Sequence, residues 1–195
     1  MNLTAHIQKA ILNTNQEHIN FSEYGISYAP EYLITTNIAK EIYTLKNKNN
    51  EIGVYLEWNI KDLLKDEGIE LSEVVRDGKC DICIFFNRTT NAIIEVKNTV
   101  TNKGPRLTSI HKDIERIQYF LLNIDSTFKD SYVCFLVQAK NKKKTKEKAT
   151  SYIDEIRKEF DTLSFKENIK FFKENNNDEE EFFLASVVLL IKPNT

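Results

Sequence analysis

Residues Gly78–Thr99, GKCDICIFFNRTTNAIIEVKNT, decide how the chain is read. An apolar run from Cys80 to Phe86, a polar break Asn87-Arg88-Thr89-Thr90-Asn91 and a second run from Ala92 to Lys97 predict a β-hairpin. Strand side chains alternate between faces. One face therefore takes Asp81, Cys83, Phe85, Ile93, Glu95 and Lys97, and the other takes Ile82, Ile84, Phe86, Ala92, Ile94 and Val96. A turn centred near Thr89 sets Asp81 opposite Lys97, with Glu95 one diagonal step away, roughly 5 and 7 Å apart at Cβ. Two acids and a lysine thus meet at the open end of a hairpin whose other positions are apolar on both faces, the pattern of a covered strand. Charges there are costly unless paired or bound to metal. A surface hairpin with three solvated charges is the alternative.

Carboxylates suit Mg²⁺ or Mn²⁺, hard cations that keep waters for chemistry. A bound cation acidifies its water and offsets charge on a phosphate, and a neighbouring ammonium orients the water or pairs with the phosphate. Asp81 followed by Glu95-Val96-Lys97 resembles the D…ExK half-motifs of the PD-(D/E)XK nuclease superfamily, although Cys80 stands where that pattern has proline. The resemblance implies a restriction-endonuclease-like fold, an α-β-β-β-α-β core with a mixed sheet flanked by helices. It also implies metal-dependent hydrolysis of phosphodiester bonds, in DNA before RNA, with Asp81 and Glu95 as ligands and Lys97 positioning water. In this superfamily a helix before the sheet often adds an acid. Glu31, three residues before Ile34 on the stripe Ile34, Ile38, Ile42 and Leu45, is that candidate for catalysis and for metal, with a helix-dipole role as the alternative. Glu41 projects away from the stripe.

The element order is read from periodicity. Leu3, Ile7, Ala10 and Ile11 predict a short amphipathic helix, followed by a polar link through Ser27. A helix opens at Pro30 and runs to about Leu45. Ile52 to Trp58 alternates as a strand, and Asn59 to Glu67 reads as a short helix. After the hairpin comes a loop, Asn98 to Leu107, whose Lys103 and Arg106 suit phosphate contacts. The next helix spans Thr108 to Ile124, with stripe Ile110, Ile114, Ile117, Leu121 and Ile124. Its first turns carry His111, Lys112, Asp113 and Arg116, and the resemblance makes Lys112 and Arg116 candidates for phosphate contact. Tyr132 to Ala139 is a strand set to pair parallel with the hairpin's second strand through that helix. The run KNKKKTKEK, Lys140 to Lys148, reads as a solvated, mobile segment; Lys142, Lys143 and Lys144 make it a candidate contact surface for nucleic acid. A helix to about Leu163 and strands near Ile169–Lys173 and Phe182–Lys192 follow, the strands flanking an acidic turn, Glu174 to Glu181.

One domain over residues 1–195 is expected, with a core of about 30–139, an N-terminal helix and link over 1–29 and an extension over 140–195. Lys plus Arg number 27 and Asp plus Glu 29, a net charge of −2, so nucleic acid must be held by a local patch. No run is long enough to span a bilayer, and no signal-peptide core opens the chain, so a cytoplasmic protein without membrane contact is expected. The three cysteines include a C-x-x-C, Cys80 and Cys83. Strand alternation points these to opposite faces, and no further pair completes a zinc set, so buried free thiols are expected. No phosphate-binding glycine loop, histidine pair or positioned nucleophile is present. A homodimer would supply the second site that double-strand cleavage needs. The rival reading is a catalytically inactive nucleic-acid-binding or assembly module of the same fold, in a defence complex for example.

Overall fold

The computed structural model describes residues 3–46, 51–66, 68, 78–87, 89–100, 105–122, 130–174 and 182–194. Its centre is a six-stranded mixed sheet. In chain order the strands are β1 (Ile52–Asn59), β2 (Lys79–Phe86), β3 (Thr89–Val100), β4 (Asp130–Ala139), β5 (Leu163–Glu174) and β6 (Phe182–Pro193). Their spatial order is β1-β2-β3-β4-β6-β5. Only β3 and β4 pair in parallel, as the intervening helix predicts. Helices α1 (Thr4–Ser22) and α2 (Glu31–Tyr43) cover one face. Helices α3 (Ile60–Asp66), α4 (Pro105–Leu122) and α5 (Lys142–Glu159) cover the other. Among the described residues no helix is long and apolar enough to cross a membrane.

The two faces of the hairpin are those that alternation predicts. Ile82, Ile84, Ala92, Ile94 and Val96 pack under α1 and α2; Cys83 and Ile93 pack under α4 and α5. The register differs. Ile82 pairs with Ile94 and Cys83 with Ile93, so Asp81 faces Glu95 rather than Lys97. The turn is tighter than the five-residue break suggested, with Asn87 at φ 50° between strands that end at Phe86 and restart at Thr89, and a bulge between Ile84 and Phe85 shifts the ladder. A bulge adds a residue on one side and bends the strand.

Cys80 and Cys83 lie on one face, against expectation. The cause is a phase break shared by β1 and β2. Glu57 adopts φ 53°, between the pairs Leu56–Ile82 and Trp58–Cys80. Leu56 and Ile82 pack toward α2, whereas Trp58 and Cys80 pack toward α4. Glu57 itself is exposed and pairs with Lys79 at 3.1 Å. The described cysteines, Cys80, Cys83 and Cys134, are buried free thiols.

Several boundaries move for local reasons. Helix α1 extends to Ser22, because Thr14 and Asn15 are buried where the polar link was expected. Helix α2 takes Pro30 as its cap and ends at Tyr43. Strand β3 runs through Asn98 to Val100, continued by its pairing with β4. Helix α4 opens at Pro105, a residue without an amide hydrogen to satisfy in a first turn. The lysine run is helical from Lys142, because the Asn141 side chain accepts the Lys144 amide and caps α5. Glu174 is not in a solvated acidic turn. It ends β5 fully buried, accepting hydrogen bonds from the Ser27 amide (2.9 Å), the Ser27 hydroxyl (2.6 Å) and Gln138 Nε2 (3.2 Å). Residues 175–181 of that turn lie outside the described residues.

Candidate active site

Strand β2 stays paired with β1 down to Lys79, but its ladder with β3 ends at Ile82–Ile94. Beyond that fork the two strands exchange side chains for backbone. The Val96 amide donates to Asp81 Oδ2 at 2.7 Å, and the Asp81 amide donates to Glu95 Oε2 at 3.4 Å. Backbone groups leaving a ladder must find other partners, and here each strand's carboxylate takes the other's amide. On the far side β3 remains paired with β4 through Lys97–Phe135 and resumes at Thr99–Leu136, so Asn98 is the extra residue of a bulge. Its amide donates to Glu31 Oε2 at 2.9 Å, and its side chain donates to the Ala29 carbonyl at 2.5 Å. The fork and the bulge thereby bring Glu31, Asp81, Glu95 and Lys97 together.

Helix α4 completes the cluster. Lys97 Nζ lies 3.1 Å from Asp113 Oδ2, 3.7 Å from Glu31 Oε1 and 3.8 Å from Asp81 Oδ2. Arg116 reaches Glu95 Oε1 at 3.1 Å and hydrogen-bonds Asp113. Arg116 therefore faces inward onto acids, not outward toward a phosphate. Glu95 is 1% exposed and Asp113 8%, whereas Glu31 is 43% exposed: it reaches the cluster from the rim rather than from the buried stripe. Glu41 turns instead to α1, where His6 and Lys9 bind it.

Proton affinities follow from this crowding. Burial, reinforced by the neighbouring Asp113 and Asp81, raises the Glu95 carboxyl well above the usual range. Burial also raises Asp113, against the pull of Lys97 and Arg116. For Lys97 burial works downward, but Asp113, Asp81 and Glu31 together outweigh it and hold the ammonium above its ordinary value. Lys97 is thus a fixed positive charge at neutral pH.

Four carboxylates here face two cationic side chains, a surplus of two negative charges when all four are ionised and of one when Glu95 keeps its proton. Glu95 Oε1 and Asp113 Oδ2 are buried and accept no hydrogen bond of good geometry. Each nevertheless has a cationic side chain beside it, Arg116 at 3.1 Å from Glu95 Oε1 and Lys97 at 3.1 Å from Asp113 Oδ2. Carboxylate oxygens are the donors a hard divalent ion prefers, and Asp81, Glu95 and Glu31 are the side chains expected from the sequence to hold one. The oxygens surround the Lys97 ammonium rather than a vacant point: among the described residues no group of three His, Cys, Asp or Glu side chains is set to hold an ion as it stands.

Of the other contact candidates, Lys112, Lys142, Lys143 and Lys144 are exposed. Lys103 lies outside the described residues, and Arg106 is described only in its backbone, in the first turn of α4. Asp113 and Asn98 were not singled out by sequence. Asp113 carried a signal, since it lies within the apolar stripe Ile110, Ile114 and Ile117 as Glu31 lies before its own. Asn98 carried none, because its role comes from the bulge. The chain matches no protein-family model, no curated protein and no solved structure.

Proposed function

We propose that the chain is a metal-dependent nuclease of the restriction-endonuclease-like fold, acting on phosphodiester bonds at the Asp81–Glu95–Lys97 cluster. The observation that carries this is the fork itself. It exchanges two carboxylates across parting strands and sets beside them a lysine held charged, onto which Glu31 and the buried Asp113 also close. The order α2, β1, α3, β2, β3, α4, β4 supports the fold assignment, since apart from the short α3 it is the succession implied by the D…ExK resemblance. A divalent cation, when bound by Asp81, Glu95 and Glu31, acidifies water and offsets charge on the phosphate.

The chain's own groups divide the remaining work. Lys97, protonated, is an electrostatic donor and not a base: its ammonium orients the attacking water or holds a phosphate oxygen. Asp113 fixes that ammonium from beneath. Asn98 anchors one oxygen of Glu31 and turns the other toward Lys97. Burial of Glu95 keeps its charge, once exposed by loss of a proton, within a poorly screened setting.

Purified protein with Mg²⁺ should cleave DNA, and Lys97→Ala or Glu95→Gln should abolish cleavage with the circular dichroism unchanged. Equal cleavage by wild type and both variants would place the activity elsewhere. One observation favours a non-catalytic module: Lys97 and Arg116 already contact the acids that a metal would use. Calorimetry separates the two, since a module of that kind takes up no Mg²⁺ that Glu95→Gln removes.

A further inference from the structure

The sequence offers a substrate only lysines and arginines; the surface beside Glu31 offers something else. Phe21 is 91% exposed, Tyr32 59%, Tyr28 57% and Tyr24 42%. Rings this large are normally covered, and here four fall within the twelve residues Phe21 to Tyr32. They lie at the end of α1, on the short turn Ile26–Tyr28 and at the start of α2, and Tyr32 directly follows Glu31. The rings of Tyr24 and Tyr28 stand 5.4 Å apart and tilted at 48°.

The turn bearing them is pinned. Ser27 gives both its amide and its hydroxyl to the buried carboxylate of Glu174, and Ala29 accepts from Asn98 beside the acidic cluster. Glu174 is also bound by Gln138, near the end of β4, and Gln138 in turn accepts from Lys148 of α5. Three features therefore lie toward the end of the sheet where β4 finishes: the acids with Lys97, the aromatic residues, and the exposed lysines Lys142, Lys143 and Lys144 that open α5 just after β4.

We propose that these aromatic residues form a stacking platform for unpaired bases, and that the strand taken by the candidate active site is single-stranded nucleic acid. The proposal rests on reading the acidic cluster as a phosphodiester site. Exposed aromatic faces bind unpaired bases whatever their sequence, while cationic side chains follow the phosphates. Bases inside a duplex have their faces already stacked and offer only edges in the grooves. The net charge of −2 gives no general attraction for a polyanion, so the lysines supply it locally. Because Glu174 holds the turn in place, the platform is pre-organised and little ordering is left to binding.

Fluorescence anisotropy with the full chain in EDTA tests this apart from cleavage. The probes are a labelled single-stranded DNA of mixed bases about twelve nucleotides long, within the range that one such groove covers, its duplex, its abasic counterpart and the matching RNA. The single strand should bind at least about tenfold more tightly than duplex or abasic strand, and Tyr28→Ala with Tyr32→Ala should weaken it roughly ten- to hundredfold. Replacing Lys142, Lys143 and Lys144 by Gln should weaken binding and flatten its dependence on salt. Tight binding of DNA or RNA supports the proposal, and the better binder names the substrate. Duplex or abasic strand bound equally well, or a tyrosine variant that folds and binds like wild type, overturns it. So does a wild-type dimer that the tyrosine variant dissolves, which would make those rings an interface between copies. Single-strand binding without Mg²⁺-dependent cleavage would sink the catalytic reading and leave the platform; cleavage indifferent to the tyrosines would do the reverse.

Discussion

Glu95→Gln should make the protein more stable at neutral pH while removing the proposed activity. Glu95 is 1% exposed and its carboxyl is raised well above 4.5 by burial first, then by Asp113 and Asp81. A raised carboxyl binds its proton more tightly in the folded chain than in the unfolded one. Its contribution is therefore fully favourable below the unfolded value and is lost as pH rises through the folded one. At neutral pH the wild type either ionises Glu95 beside two other acids or keeps a proton that the unfolded chain would release. Glutamine avoids both, although its single oxygen can accept from the Asp81 amide or from Arg116 but not from both, which offsets part of the gain. Each unit by which burial raises the carboxyl is worth about 1.4 kcal/mol, and for a chain of this size each kcal/mol moves Tm by about 2–4 °C. Scanning calorimetry in EDTA from pH 4 to 8 should show the two proteins melting together near the acid end and the variant gaining as pH rises. Mg²⁺ should then stabilise the wild type, by about 2.7 kcal/mol at a hundredfold excess over Kd, and leave the variant unmoved. A variant that melts below wild type at pH 7, or a difference that ignores pH, would mean that Arg116 fully compensates Glu95 and that the cluster has no surplus charge.

Two further substitutions probe how the site is held. A Cβ added at Gly25 would lie 1.9 Å from Glu174 Oε1 and 2.1 Å from its Cγ. Gly25→Ala should therefore cost about 1–3 kcal/mol by urea denaturation, and should weaken single-strand binding by displacing the turn that Glu174 pins. Glu41 is lowered by its hydrogen bonds to Lys9 and His6, so its contribution is present above 4.5 and is lost as pH falls through the folded value. Glu41→Gln should lower stability at pH 7 by less than about 1 kcal/mol, the size of an exposed pair, with the gap closing in acid.

Alternation was enough to sort the hairpin's side chains between faces, but not to set its register. The slip from Asp81–Lys97 to Asp81–Glu95 is two residues, and a two-residue slip returns every side chain to the same face. Burial patterning therefore cannot detect it. The slip is set by the tight turn, which pairs Phe86 with Thr89, and is partly offset by the bulge at Ile84–Phe85; neither has a glycine or proline to announce it. The phase break at Glu57 is hidden in the same way, since a glutamate at positive φ leaves no mark in composition. The lysine run misled for a different reason. Its charges looked like those of a solvated loop, yet Asn141 caps it and Thr145 and Ala149 are buried beneath it. A helix opening on three lysines works against its own dipole, which makes that placement a cost to folding and a benefit to an anion.

The positions where local rules fail are also the positions the proposed chemistry uses. A regular ladder would have spent the amides of Asp81 and Val96 on backbone carbonyls, leaving their neighbouring carboxylates to point into an apolar layer. Parting β2 from β3 at Ile82–Ile94 frees those amides, and the acids take them. The extra residue at Asn98 then carries β3 past the fork without losing β4, and places an amide where Glu31 can use it. Asp113 and Arg116, drawn from an otherwise apolar helix face, close the cluster from below. Each of these departures costs stability at its own position. They converge on a single lysine, and a set of compensating defects spread along four elements has no structural reason to converge unless the charge it gathers is put to use.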